Sequence, residues 1–163
     1  MKRKGFSILE LLLVLFIFSL SMALAAPSLS KFYKTAQLKT TTQRISAILR
    51  HSRSEAIHRG EIYQVLFDSY LKEVKIRSLR LSEAETEERK DQKRSIQTFS
   101  VPKWMDFREI KIPPSLYPSD HPAIEFYPNG RSNGGSFTLE GGNHQGYLIQ
   151  VHFLTGMVTI RKV

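Results

Sequence analysis

The sequence predicts an α+β chain: one long N-terminal α-helix, apolar in its first half, packed on a C-terminal antiparallel β-sheet head. Three observations lead there. Phe6 to Ala26 is apolar apart from Ser7, Ser19, Ser21 and one acid, Glu10. Beyond Pro27, Leu38, Ile45, Leu49, Ser52 and Ala56 recur at spacings of seven, four, three and four, which places them on one helix face. From Ile62 onward, short alternating apolar runs are separated by glycine-containing turns.

The apolar start admits three readings. About 21 residues at 1.5 Å each span roughly 31 Å, the thickness of a bilayer's hydrocarbon core. A transmembrane helix over 6–26 therefore fits, with Lys2, Arg3 and Lys4 holding the N-terminus in the cytoplasm. A secretory signal peptide is the second reading, because Ala23-Leu24-Ala25 before Ala26 resembles a cleavage site. Its apolar core would be only about 7–15 residues, shorter than this run and free of acids such as Glu10. A buried core helix is the third, and the near absence of polar residues over such a length argues against it. Glu10 is the anomaly, because a carboxylate at a bilayer centre costs roughly 2.5–3.5 kcal/mol.

Lys4-Gly5-Phe6-Ser7-Ile8-Leu9-Glu10 resembles the processing site of type IV prepilins and type II secretion pseudopilins. In that family a short basic leader ends in Gly, and a membrane prepilin peptidase cuts after it. The same enzyme methylates the new N-terminal amine. A Glu stands fifth in the mature chain. The resemblance implies a leader over 1–5, cleavage between Gly5 and Phe6, N-methylation of Phe6, and an assembly role for Glu10. Pro27 matches the proline that commonly bends the family's first helix. A physical reason for Glu10 follows from the resemblance. In a filament of packed helices it can meet the Phe6 amine of a neighbour, so that two groups costly in lipid neutralise each other. An intrachain contact is the alternative, since Phe6 and Glu10 are four apart on one helix.

The helix continues to Arg59, where Gly60 supplies a left-handed stop. A helix over 6–59 would be about 80 Å long. The head then occupies 60–163. Ile62–Phe67 and Val74–Arg77 read as strands around a polar turn. Residues 82–95 mix both charge signs and read as a solvated loop or frayed helix. Phe99–Val101 and Glu109–Ile112 alternate weakly. Ile124–Tyr127, Ser136–Leu139, Tyr147–Phe153 and Met157–Arg161 are clearer strands. Asn129-Gly130, Gly134-Gly135, Gly141-Gly142 and Thr155-Gly156 punctuate them as hairpin turns. The head also carries a narrower resemblance. Arg53-Ser54-Glu55-Ala56-Ile57, Phe126-Tyr127-Pro128-Asn129-Gly130-Arg131-Ser132 and Leu154-Thr155-Gly156-Met157-Val158 are similar to the H-type minor pseudopilins and their type IV pilus relatives.

Charge and composition bound the function. The formal net charge is +9 and there is no cysteine, so neither disulfides nor thiolate metal sites are available. Residues 31–59 hold seven bases against Glu55, whereas Gly60 to the end has 14 bases and 13 acids, so the excess lies in the leader and the helix. His51 and His58 are seven apart, not at the four-residue spacing of paired zinc ligands. His121, His144 and His152 have few carboxylates nearby. The glycines from Gly130 to Gly146 contain no phosphate-loop lysine, and no serine sits in a nucleophile-elbow pattern. The calcium site of major pseudopilins needs clustered loop acids, and Asp120, Glu125 and Glu140 are all that remain from Asp120 onward. Neither an enzyme nor a cofactor is expected.

The resemblance implies a minor pseudopilin of the type II secretion pseudopilus, acting in protein secretion across the outer membrane. Its partners would be other major and minor pseudopilins, the prepilin peptidase/N-methyltransferase and the bacterial inner membrane. The chain would be single-pass, N-terminus cytoplasmic and head periplasmic. The alternative is a minor pilin of a type IV pilus that binds DNA for natural transformation, with Arg131, Arg161 and Lys162 as the nucleic-acid-binding residues.

Overall fold

The computed structural model describes residues 7–79, 97–142 and 145–163, without the side chains of 23–29. The expected charged loop over 82–95 lies outside the described residues. One helix, α1 (Ile8–Arg59), is followed by eight strands: β1 (Ile62–Asp68), β2 (Glu73–Leu79), β3 (Gln97–Ser100), β4 (Asp106–Lys111), β5 (Ala123–Phe126), β6 (Gly135–Glu140), β7 (Gly146–Val151) and β8 (Val158–Lys162). The chain divides into two compact units, Met1–Gln37 and Leu38–Val163.

In the first unit Ser7 starts the helix. Its hydroxyl accepts from Leu9 N at 3.3 Å, and its carbonyl accepts from Glu10 N and Leu11 N. That satisfies donors that a helix N-terminus otherwise leaves free. Ile8 to Met22 are exposed. Pro27 lies within α1 and does not end it. Among the described residues, no helix is long and apolar enough to cross a membrane. The expected span over 6–26 includes residues outside that description.

In the second unit the expected helix face is the buried one: Leu38, Ile45, Leu49, Ser52 and Ala56 are at most 2% exposed. Gly60 ends α1 in the left-handed conformation, φ 67°, with its N–H on Ala56 O at 3.1 Å. The buried helix face shares one core with two four-stranded antiparallel sheets, in orders β3-β2-β1-β5 and β4-β6-β7-β8. Phe67 of β1 meets Phe137 of β6 and Phe107 of β4 at ring distances of 4.5 and 5.8 Å, joining the sheets at the centre.

Two expectations change. The antiparallel β-sheet head consists of two sheets, and the chain passes from one to the other between β3 and β4, between β4 and β5, and again between β5 and β6. On the β5–β6 crossover the expected turn at Asn129-Gly130 closes a short hairpin, with Gly130 N on Tyr127 O at 2.9 Å and Phe126 bridged antiparallel to Ser132, whereas Gly134-Gly135 leads into β6 and joins no two paired strands. Close approach is the physical reason for the second pair. A Cβ on Gly134 would sit 2.9 Å from Phe153 Cβ, and one on Gly135 3.0 Å from Lys111 O. The expected strand over 109–112 is β4, which begins at Asp106 and carries a register shift between Arg108 and Lys111, with Glu109 at φ 47°. Gly141-Gly142 and Thr155-Gly156 do lie between paired strands, β6–β7 and β7–β8.

Candidate functional site

The three segments that carry the narrower resemblance, one at the end of α1 and two in the head, are far apart in sequence and meet in one place. From α1, Arg53 donates through Nε to Gly130 O at 3.2 Å, and Arg50 donates through Nη2 to Val158 O at 3.4 Å. A Cβ on Gly130 would lie 3.3 Å from Ile57 Cδ1. One on Gly156 would lie 2.7 Å from Gly130 O and 2.8 Å from Arg53 Nε. Ser132 N donates to Phe153 O at 2.9 Å, linking the crossover to the β7–β8 hairpin. Glycine is needed at both 130 and 156 because both have positive φ, 78° and 62°, and both face neighbours at contact distance. This junction ties the end of α1 to both sheets. Exposed Ile57, Phe153, Leu154 and Met157 surround it.

A second constellation lies on the face of β1 and β5 away from the helix. Glu125 is fully buried. It accepts from Gln64 Nε2 at 2.7 Å, Tyr127 OH at 2.9 Å, Leu116 N at 3.2 Å, Tyr117 N at 3.3 Å and the Ser115 hydroxyl. Gln64 is the cross-strand partner of both Glu125 and Arg77, and its Oε1 accepts from Arg77 Nε. Arg77 Nη2 also donates to Pro118 O. A ladder Arg77–Gln64–Glu125 thus runs across three strands and fastens the segment 112–122 over them. Burial pushes the Glu125 carboxyl up, but the hydrogen bonds from Ser115, Gln64, Tyr127 and Leu116 outweigh it and hold the carboxyl below its ordinary range. Burial and the bond to Glu125 together push the Tyr127 phenol up. Asn133 secures the other side of β5, accepting from Glu125 N at 2.9 Å and donating to Ala123 O at 3.0 Å.

Asp68 closes the β1–β2 turn. Its Oδ1 accepts from Leu71 N at 2.8 Å and Tyr70 N at 3.0 Å, while Oδ2 faces Lys75 at 3.3 Å and His121 at 3.5 Å. The Leu71 bond leads the causes that lower its pKa. Such an arrangement is turn chemistry plus an ion pair. Among the described residues no group of three metal-ligating side chains comes together. His51, His58 and His152 are exposed, and His144 lies outside the described residues.

The residues singled out from the sequence are placed as follows. Gly5 and Phe6 lie outside the described residues. Glu10 is exposed in the first turn of α1, three residues after Ser7. That is the spacing of a capping box, and an acid there also complements the helix dipole. For Pro27 the backbone alone is described. Arg131, Arg161 and Lys162 are exposed. Arg131 follows Gly130, which touches Gly156, whereas Arg161 lies five residues beyond Gly156, about 16 Å along an extended chain. Two of the seven helix bases, Arg50 and Arg53, are engaged with head carbonyls. A third, Arg59, pairs with Glu55 at 2.6 Å.

Comparison with known proteins agrees with this architecture. The prokaryotic N-terminal methylation motif matches residues 1–26, and the family described as type II transport protein GspH matches residues 41–155. No curated protein matches the chain. Two solved structures of the minor pseudopilin EpsH from the type 2 secretion system of Vibrio cholerae share the fold. One has a TM-score of 0.57 at 11% identity, covering 77% of this chain and 97% of that one. The other has a TM-score of 0.55 at 12% identity, covering 77% and 93%. The matched region takes in the buried face of α1 from Thr41, every strand except β8 and the three converging segments as far as Thr155, and the chain belongs to the type II transport protein GspH family.

Proposed function

We propose that this chain is a minor pseudopilin, a structural subunit of the pseudopilus of a type II secretion system that takes part in protein secretion across the outer membrane. The observation that carries the reading is the succession on one chain of an N-terminal methylation motif over 1–26 and the GspH family over 41–155. Family and fold are those of structural subunits, not of enzymes.

In this reading prepilin peptidase removes residues 1–5 by cutting between Gly5 and Phe6, and the Phe6 amine is methylated. The segment 6–26 crosses the inner membrane once, with the N-terminus cytoplasmic and the head, 60–163, periplasmic. Fifteen residues from Ile8 to Met22 expose apolar side chains on every side of α1, interrupted by Glu10, Ser19 and Ser21. Such a surface is stable against lipid or against other helices of the same kind. Glu10 then acts in assembly by meeting the Phe6 amine of a neighbouring subunit, and Pro27 sets the course of the helix. The partners are the other major and minor pseudopilins. The alternative, DNA binding through Arg131, Arg161 and Lys162, has less behind it, because the family to which the chain belongs is described as a type II transport protein.

A deletion strain scored for both protein secretion and DNA uptake tests the reading. Loss of secretion with intact DNA uptake is expected. Loss of DNA uptake alone would assign the chain to a type IV pilus instead.

A further inference from the structure

Lys31, Phe32, Tyr33 and Lys34 form an uninterrupted exposed stretch on α1, with Phe32 74% and Tyr33 65% exposed. In a globular helix two adjacent aromatics at such exposure would be unfavourable, because both present large apolar surfaces to water. Among the described residues of the first compact unit, nothing covers them. Their position explains them. Ala26 ends the apolar run, and Phe32 lies six residues further on, about 9 Å along the helix. Polar headgroups extend roughly 5–8 Å beyond the hydrocarbon core on each side. Helical side chains lean toward the N-terminus, so those of residues 31–34 reach back into that layer. Aromatic rings with an apolar body and a polar edge favour this depth, and lysines beside them meet phosphates there.

We infer that Lys31–Lys34 is a girdle that binds anionic phospholipid headgroups in the leaflet opposite Lys2–Lys4. The inference rests on the membrane-spanning reading of 6–26. The aromatics set the depth at which α1 leaves the bilayer, and Lys31 and Lys34 select the anionic lipid. The subunit would thereby be held at a defined height before it enters a filament. Each lysine near an anionic surface favours association about fivefold, so the two together are expected to prefer anionic over neutral lipid by at least that factor.

The test uses the full chain in nanodiscs of phosphatidylcholine mixed with an equal part of phosphatidylglycerol. The chain has no cysteine, so Thr35→Cys carries a single fluorophore beside the girdle. Bromine-labelled phosphatidylglycerol or bromine-labelled phosphatidylcholine serves as the quencher. The expected result is a local preference for phosphatidylglycerol of about fivefold or more, falling to parity in Lys31→Gln/Lys34→Gln and at high salt. Phe32→Ala/Tyr33→Ala should reduce quenching by both lipids alike. A chain retained in the discs with no lipid preference overturns the inference alone. A chain that separates from the discs on gel filtration overturns the membrane reading and the inference with it.

Discussion

Arg53 Nε on α1 donates to the carbonyl of Gly130, 77 residues away, at 3.2 Å. That bond, with Gly156 pressed against both groups, makes the end of the helix, the sheet crossover and the β7–β8 hairpin one structural unit. A hydrogen bond from a charged donor contributes about 1.5–3 kcal/mol, so the junction is held by polar geometry as well as by the core beneath it.

Gly156→Ala should therefore destabilise the chain far more than Gly60→Ala, although both glycines have φ near 65°. Each alanine costs about 1–2 kcal/mol for adopting the left-handed conformation. At Gly60 nothing lies within 4 Å of the new Cβ, whereas at Gly156 it would meet Gly130 O at 2.7 Å. Overpacking adds about 1–3 kcal/mol. Thermal unfolding of the two purified variants should place Gly156→Ala several degrees below Gly60→Ala. Equal midpoints would contradict the junction as described.

Glu125 predicts a pH dependence. Its folded pKa is depressed, so the stability it contributes is fully present above the unfolded value of about 4.3 and is lost as pH falls through the lower folded value. Asp68 and Asp106 are depressed in the same direction, Asp106 chiefly by its bond from Lys72. Stability should fall steeply below about pH 4. Glu125→Gln should lower stability at neutral pH by about 1–3 kcal/mol and flatten that acid limb. Denaturant midpoints measured across pH for both chains check this.

The buried face of α1 contains two defects. Among the described residues, Ser46 Oγ and Ser52 Oγ are buried with no hydrogen-bond partner. A buried unsatisfied hydroxyl costs about 1–3 kcal/mol, and alanine is the better helix former by a few tenths more. Ser46→Ala and Ser52→Ala should each leave the melting temperature unchanged or raise it. A clear fall in either would mean that its hydroxyl has a partner.

Much of this architecture is legible in the sequence, for identifiable reasons. The spacing of Leu38, Ile45, Leu49, Ser52 and Ala56 defines the buried helix face because a helix has one period and one core side. All eight strands leave a trace in the apolar pattern, although β3 and β4 alternate only weakly and β4 begins three residues before the expected run. Two-sheet division does not show, since Gly134-Gly135 has the composition of a hairpin turn whether its flanking strands pair or part. The Glu125 ladder is likewise invisible as a unit. Its trace is one polar residue inside each of two apolar strands, Gln64 between Tyr63 and Val65 and Glu125 between Ile124 and Phe126. Their pairing depends on register, and their third partner, Ser115, sits in a proline-rich segment with no periodicity. The capping relation of Ser7 to Glu10 is legible as a spacing but is easily overlooked beside the processing motif that overlaps it.

Glu10→Leu separates the two roles of that acid. The change removes a carboxylate unfavourable in lipid, so membrane insertion and cleavage should remain largely intact. Loss of an acid from the first turn costs the helix about 0.3–1 kcal/mol. Incorporation into filaments should fall by far more than that small local effect explains. Co-purification with the other pseudopilins, compared with wild type, reads the difference, and equal incorporation would remove the intersubunit role of Glu10.

Intact-mass spectrometry of the mature protein is the most direct test of the pseudopilin reading. The expected species is a chain of residues 6–163 carrying one methyl group on the Phe6 amine, with the whole apolar segment retained. A chain beginning at Ala26 would identify the segment as an ordinary signal peptide and contradict the pseudopilin reading.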